Sequence, residues 1–148
     1  MSNNDNFHNQ TFKLVQENNI NVLPHDDEAE EVLLGSLLSD NASLDLIENG
    51  LSNFHFFVPI YGRIYQSICE LVYKDQLANP LTLEHYFSED EAFKELGGKE
   101  FLNKLCDGNL GNSIIKDYAN LLKELYNKRE LIKLSKSLEA EAGRFDHE

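Results

Sequence analysis

Residues 23 to 40 read LPHDDEAEEVLLGSLLSD, which places His25, Asp26, Asp27, Glu28, Glu30 and Glu31 within a single short run. An imidazole surrounded by carboxylates is the material of a divalent metal site or of an acid–base pair. Ligands on one helix must share a face at i, i+3 or i+4 spacing. Asp27 with Glu31, and Asp26 with Glu30, satisfy that spacing, but no remote His or Asp stands out to complete either set. A helix start accounts for more of these residues. Asp26 or Asp27 serves as N-cap, Glu30 follows Asp27 at capping-box spacing, and the acids sit at the positive end of the macrodipole. Leu23, just outside, is placed to staple the first turn. No catalytic, cofactor-binding or metal-binding residue is assigned.

Other groups with chemical potential are isolated. His8, His55, His85 and His147 have no Ser, Cys or Asp at telling offsets. Cys69 and Cys106 are far apart and fit neither a zinc site nor a CxxC pair, so they read as buried thiols. Lys116, Lys123, Lys128, Arg129, Lys133 and Lys136 all fall near the C-terminus, where they alternate with Asp117, Glu124 and Glu130. That alternation describes the ion-paired flanks of a packing stripe.

The elements that carry these residues are helical. The chain has 148 residues, one domain's worth, and a net charge of −13. Residues 1–60 hold ten acids against one base, whereas residues 113–148 hold seven of each. Nucleic-acid affinity rests on Lys and Arg neutralising phosphates, so tight DNA binding is not expected. No apolar run approaches the ~20 residues that cross a bilayer, and no signal peptide is present, so a cytoplasmic location is expected. Residues 1–22, rich in Asn and Gln, read as a disordered polar tail.

Helical periodicity begins at Glu28 and runs to Leu38, with Gly35 small enough to admit a neighbouring helix. A second helix is expected from Ala42 to Asn49, with Leu44 and Ile47 inward. The aromatic corner FHFFVP leads into a third, which runs to about Lys74. Thr82 is expected to cap a short helix bearing Leu83, Tyr86 and Phe87. Phe93 and Leu96 mark another, stopped by Gly97-Gly98, and Glu100 to Cys106 one more. From Ser113 to about Ala142 apolar residues recur with no Pro or Gly, spanning ~45 Å at 1.5 Å per residue. The fold class is therefore all-α: a compact multi-helix head (23–112) followed by a region (113–148) made of one long protruding helix and the start of a turn. A protruding helix exposes an apolar stripe, which needs a partner.

These segments also carry a resemblance. PHDDEAEEVLLGSLLSD resembles the opening signature of DnaB-type replicative DNA helicases, P-x-x-x-E-A-E-x-x-(V/L)-L-G-x-(L/M)-L-x-D, through Pro24, Glu28, Ala29, Glu30, Leu33, Gly35, Leu38 and Asp40. FHFFVPIYGRIYQSI, LTLEHYF, ELGGKEFLNKL and YANLLKELYNKRELI are similar to that family's later blocks, in the same order. Tyr61 stands where the family usually has His, Leu110-Gly111 where it has Pro-Ser, and Glu130 where it has a second Arg.

The resemblance implies the N-terminal domain of such a helicase: an all-α head followed by the first half of a helical hairpin. It implies self-association, as a dimer or as a trimer of dimers in a hexameric collar, and docking of primase and of a helicase loader. The parent enzyme would unwind DNA with ATP and Mg²⁺ during replication. No phosphate-binding GxxxxGK[ST] is found in this chain, which is expected to be non-catalytic and to hold no cofactor. Tyr118, Leu122, Leu125, Arg129 and Ile132 are expected to form the oligomer or primase interface. Replacing Leu122 and Leu125 by Asp should then abolish self-association and leave the head folded. The alternative is a free-standing helical adaptor or regulator that binds a replicative helicase.

Overall fold

The structure, a computed structural model, describes residues 23–48 and 50–144. The reading of residues 1–22 as a tail lies outside the described residues. Among the described residues six α-helices follow in order: α1 (Asp27–Ser39), α2 (Pro59–Tyr73), α3 (Pro80–Tyr86), α4 (Glu91–Leu96), α5 (Lys99–Asp107) and α6 (Ile115–Ala142). Single 3₁₀ turns cover Asn41–Leu46, Asn53–His55 and Asn112–Ile114, and no strand occurs among the described residues.

Helix α1 is the hub, packed against α2, α5 and α6. It is buried at Ala29, Glu30 and every residue from Leu33 to Leu38, so its second half is enclosed on all sides where the sequence period marks a single face. Gly35 lies on the same buried surface, and a Cβ there would collide with the carbonyl oxygen of Leu105, so α5 crosses α1 backbone against side-chain-free backbone. From α2 come Ile60, Ile64, Ile68 and Leu71; from α5, Leu102 and Leu105; from α6, Ile115, Ala119 and Leu122. The long helix therefore enters the core with its first two turns, so packing carries the head past residue 112.

Local chemistry explains where elements start. Asp26 is the N-cap of α1, its Oδ1 accepting from the Ala29 amide at 2.9 Å. That puts Glu30 one position beyond the box expected of it. Asn79, rather than Thr82, caps α3: Pro80 takes the first helical position, so the cap must precede it. Asn79 Oδ1 accepts from the Thr82 amide at 2.9 Å and Thr82 Oγ1 accepts from the Asn79 amide at 3.0 Å, a reciprocal box. The helix expected over 42–49 is instead the 3₁₀ turn Asn41–Leu46, in which only Ser43 is buried. Asp40 Oδ1 accepts from the Ala42 amide, the Ser43 hydroxyl donates to the Asp40 carbonyl, and Asn41 bonds Leu37 and Ala78. Short polar side chains here compete with an α-helical ladder.

Two substitutions check this account by chemical denaturation. Gly35→Ala should destabilise by at least about 1–3 kcal/mol, because α1 and α5 must separate. Asp26→Ala should cost about 1 kcal/mol and Asp27→Ala much less, since only Asp26 caps.

Candidate interaction surface

Helix α6 behaves as two halves. The proximal half is held by the head, and the hold ends at Arg129, which is buried although charged. Its Nη1 donates to the Pro24 carbonyl and its Nη2 to the His55 carbonyl, each at 2.9 Å. The guanidinium also lies 5.4 Å from the Phe57 ring centroid and 5.9 Å from that of Tyr126. His25 stacks on Phe57 at 4.0 Å between centroids, and its Nδ1 lies 2.8 Å from Asp27 Oδ1.

Glu30 grips the same aromatic corner. Its carboxylate accepts from the Phe57 amide at 3.1 Å and the Val58 amide at 3.2 Å. Burial pushes the Glu30 pKa up to about 7; the two amide donors and the Arg129 charge oppose that rise, and Asp27 adds to it. Glu31, one position on, accepts from the Tyr61 hydroxyl at 2.6 Å. Burial and that carboxylate push the Tyr61 pKa up, and its ring stacks on Phe101. Tyr61 thus has a satisfied, buried place.

Beyond Arg129 the helix leaves the head. Leu131, Leu134 and Leu138 are 64%, 55% and 61% exposed and recur at i, i+3 and i+7 along one stripe. Shallow clefts at Leu131, Ile132, Ser135 and at Asn127, Glu130, Leu134 flank it. Lys128 pairs with Glu124 at 3.3 Å and Lys133 with Glu130 at 3.2 Å, at the helix edges. Glu130 thus joins a surface ion pair.

Of the five residues expected at an interface, Leu122 lies in the core and Arg129 is buried in the clamp. Tyr118 is half-buried against the core, and Leu125 and Ile132 are half-buried. Leu122 and Arg129 are thus occupied by the head, and the large apolar side chains left open are Leu131, Leu134 and Leu138. Periodicity marked the whole stripe but not the point at which the head stops covering it. The acidic run supplies a cap and a buried backbone acceptor. Among the described residues no three His, Cys, Asp or Glu are grouped so as to hold a metal, and no helix is long and apolar enough to cross a membrane.

Comparison with known proteins bears on this arrangement directly. Residues 22–124 match the family model described as the DnaB-like helicase N terminal domain. The chain belongs to that family. It is similar to the replicative DNA helicase DnaB of Rickettsia prowazekii, 35% identical over 117 residues that make up 79% of this chain and 24% of the relative. It is also similar to the DnaB of Treponema pallidum, 28% identical over 121 residues, 82% of this chain and 28% of that protein. The chain spans about a quarter of the length of these curated relatives. In fold it is similar to the crystal structure of the N-terminal domain of DnaB helicase from Mycobacterium tuberculosis. The TM-score is 0.73 at 22% identity, covering 84% of this chain and 90% of that one. The DnaB-like N-terminal fold is all-helical here as the sequence predicts.

The buried Glu30 makes stability depend on pH. Its pKa is higher folded than unfolded, so its contribution is full at low pH and is lost as pH rises from about 4.5 through about 7. Over that window wild type should lose about 3 kcal/mol more than Glu30→Gln, read as the difference between their urea midpoints across pH.

Proposed function

We propose that this chain is the non-catalytic N-terminal collar domain of a hexameric replicative DNA helicase, serving oligomerisation and the docking of primase. The observation that carries the reading is the division of α6: clamped to the head through Arg129, then projecting with Leu131, Leu134 and Leu138 open along one face. A stripe of that spacing is completed by another helix, from the other half of a hairpin or from a second copy. Family membership and the similarity to the N-terminal part of replicative helicases supply the context. In this reading ATP and Mg²⁺ belong to a motor domain elsewhere in the parent enzyme, which would unwind DNA. A chain of net charge −13 serves that enzyme by holding proteins rather than DNA.

Light scattering over a concentration series, with and without primase, tests this. Wild type should self-associate or bind primase, and Leu131→Asp/Leu134→Asp should abolish both while the melting curve is unchanged. Leu122→Asp should instead unfold the head, because burying a carboxylate in the core without a partner costs several kcal/mol. A wild-type chain that stays monomeric and ignores primase sinks the proposal.

A further inference from the structure

A second apolar surface lies on the head, where the last turn of α2 meets α3. It is an open groove of about 650 Å³ with Leu71 buried at its floor and Leu77, Leu81 and Tyr86 standing around it, 63%, 61% and 49% exposed. Among the described residues Leu77, Leu81 and Tyr86 are left largely open, yet the backbone that presents them is held firmly. Ala78 is fully buried, its amide donating to Asn41 Oδ1 at 2.9 Å and its carbonyl accepting from Asn41 Nδ2 at 2.8 Å. The Thr82 hydroxyl donates to the Leu77 carbonyl at 3.0 Å, and the Asn79–Thr82 box fixes the start of α3. Asp75, at φ +54°, turns the chain sharply out of α2, and the Gln76 amide closes that turn on the Leu71 carbonyl at 2.8 Å. The leucines are thus held out on a preformed frame, which lowers the ordering cost of binding.

Charge narrows the occupant. Glu70, Asp75 and Glu89 lie exposed on the segments that frame the groove, against Lys74, while Glu84 is paired with Lys99 at 3.7 Å. The segments that frame the groove are net negative, and its centre is apolar. An open cleft of this kind leaves a small ligand wet on one side, whereas the apolar face of a helix covers it. We propose that this groove docks an amphipathic helix of another protein, with Leu-type anchors at i, i+3 or i+4 and i+7 flanked by Lys or Arg. The apolar anchors meet Leu77, Leu81 and Tyr86, and the flanking cations meet the acids of the framing segments. The surface is separate from the distal stripe of α6 and does not depend on the role proposed for that stripe.

The test is a titration of the full chain with a fluorescent Leu/Lys amphipathic peptide of about 18 residues, long enough to be helical in water. Its counterpart with every Lys replaced by Glu is the control. The Leu/Lys peptide should bind, more weakly as salt is raised, and Leu77→Asp/Leu81→Asp should lower the affinity at least about tenfold. Both leucines are exposed, so that variant should keep its melting curve. Leu131→Asp/Leu134→Asp should bind the peptide as wild type does, so the result stands whether or not α6 mediates self-association. Equal binding by the groove variant, or by the Leu/Glu peptide, overturns the proposal. So does a groove variant that loses self-association, which would make the occupant a second copy of this chain.

Discussion

The corner at residues 55–58 is held between two opposite charges, and the arrangement of head and long helix depends on that grip. Glu30 on α1 accepts from the amides of Phe57 and Val58, and Arg129 on α6 donates to the carbonyls of His55 and Pro24. Among the described residues neither charge sits in a salt bridge; each is satisfied by backbone, and Phe57 meets both the His25 ring and the guanidinium. Backbone partners are directional, so they set the path of the corner and with it the angle at which α6 leaves the head. The cost is a carboxylate whose desolvation is incompletely offset, as its pKa near 7 records.

From that joint follows the division of labour along α6. Ahead of Arg129 the helix is part of the core through Ile115, Ala119 and Leu122; beyond it, α6 is a lever with an open leucine stripe. The polar groups near the other end of the head perform a similar task on a smaller scale. The Ser36 hydroxyl donates to Asn109 Oδ1 at 3.0 Å, and Asn112 Nδ2 donates to Asp40 Oδ2 at 2.9 Å, tying the loop before α6 to α1. A DnaB-like N-terminal domain built this way presents its surfaces on a firm frame: the α6 stripe, and the groove where α2 meets α3.

Much of this was legible in the sequence, for identifiable reasons. Helices α1 to α6 follow from apolar periodicity and from Pro, Gly and Asp punctuation, all local signals. The exceptions were local competitions, as at Asn41–Leu46, where Asn, Ser and Asp side chains bond the backbone and leave a 3₁₀ turn. Thr82 has the chemistry of a cap, but its reciprocal partner Asn79, before the proline, takes that position. The contact residues on α6 were the harder matter. Tyr118, Leu122, Leu125, Arg129 and Ile132 carry the period of an apolar face, but a period is silent about what covers that face.

The sequence by itself determined the class, the family and the helical order, because these rest on spacing between near neighbours and on motifs along one chain. It also showed an acidic run that begins a helix. Only the tertiary structure decided that Glu30 leaves that run to hold a corner 27 residues away, and that Arg129 joins it from 74 residues beyond the corner. Both are charged residues whose burial no local pattern announces, since burial becomes tolerable only when distant backbone groups arrive to satisfy the charge. The same holds for Leu122 and Leu134, alike in sequence: one meets the head and the other does not, and only the path of α6 past α1 separates them.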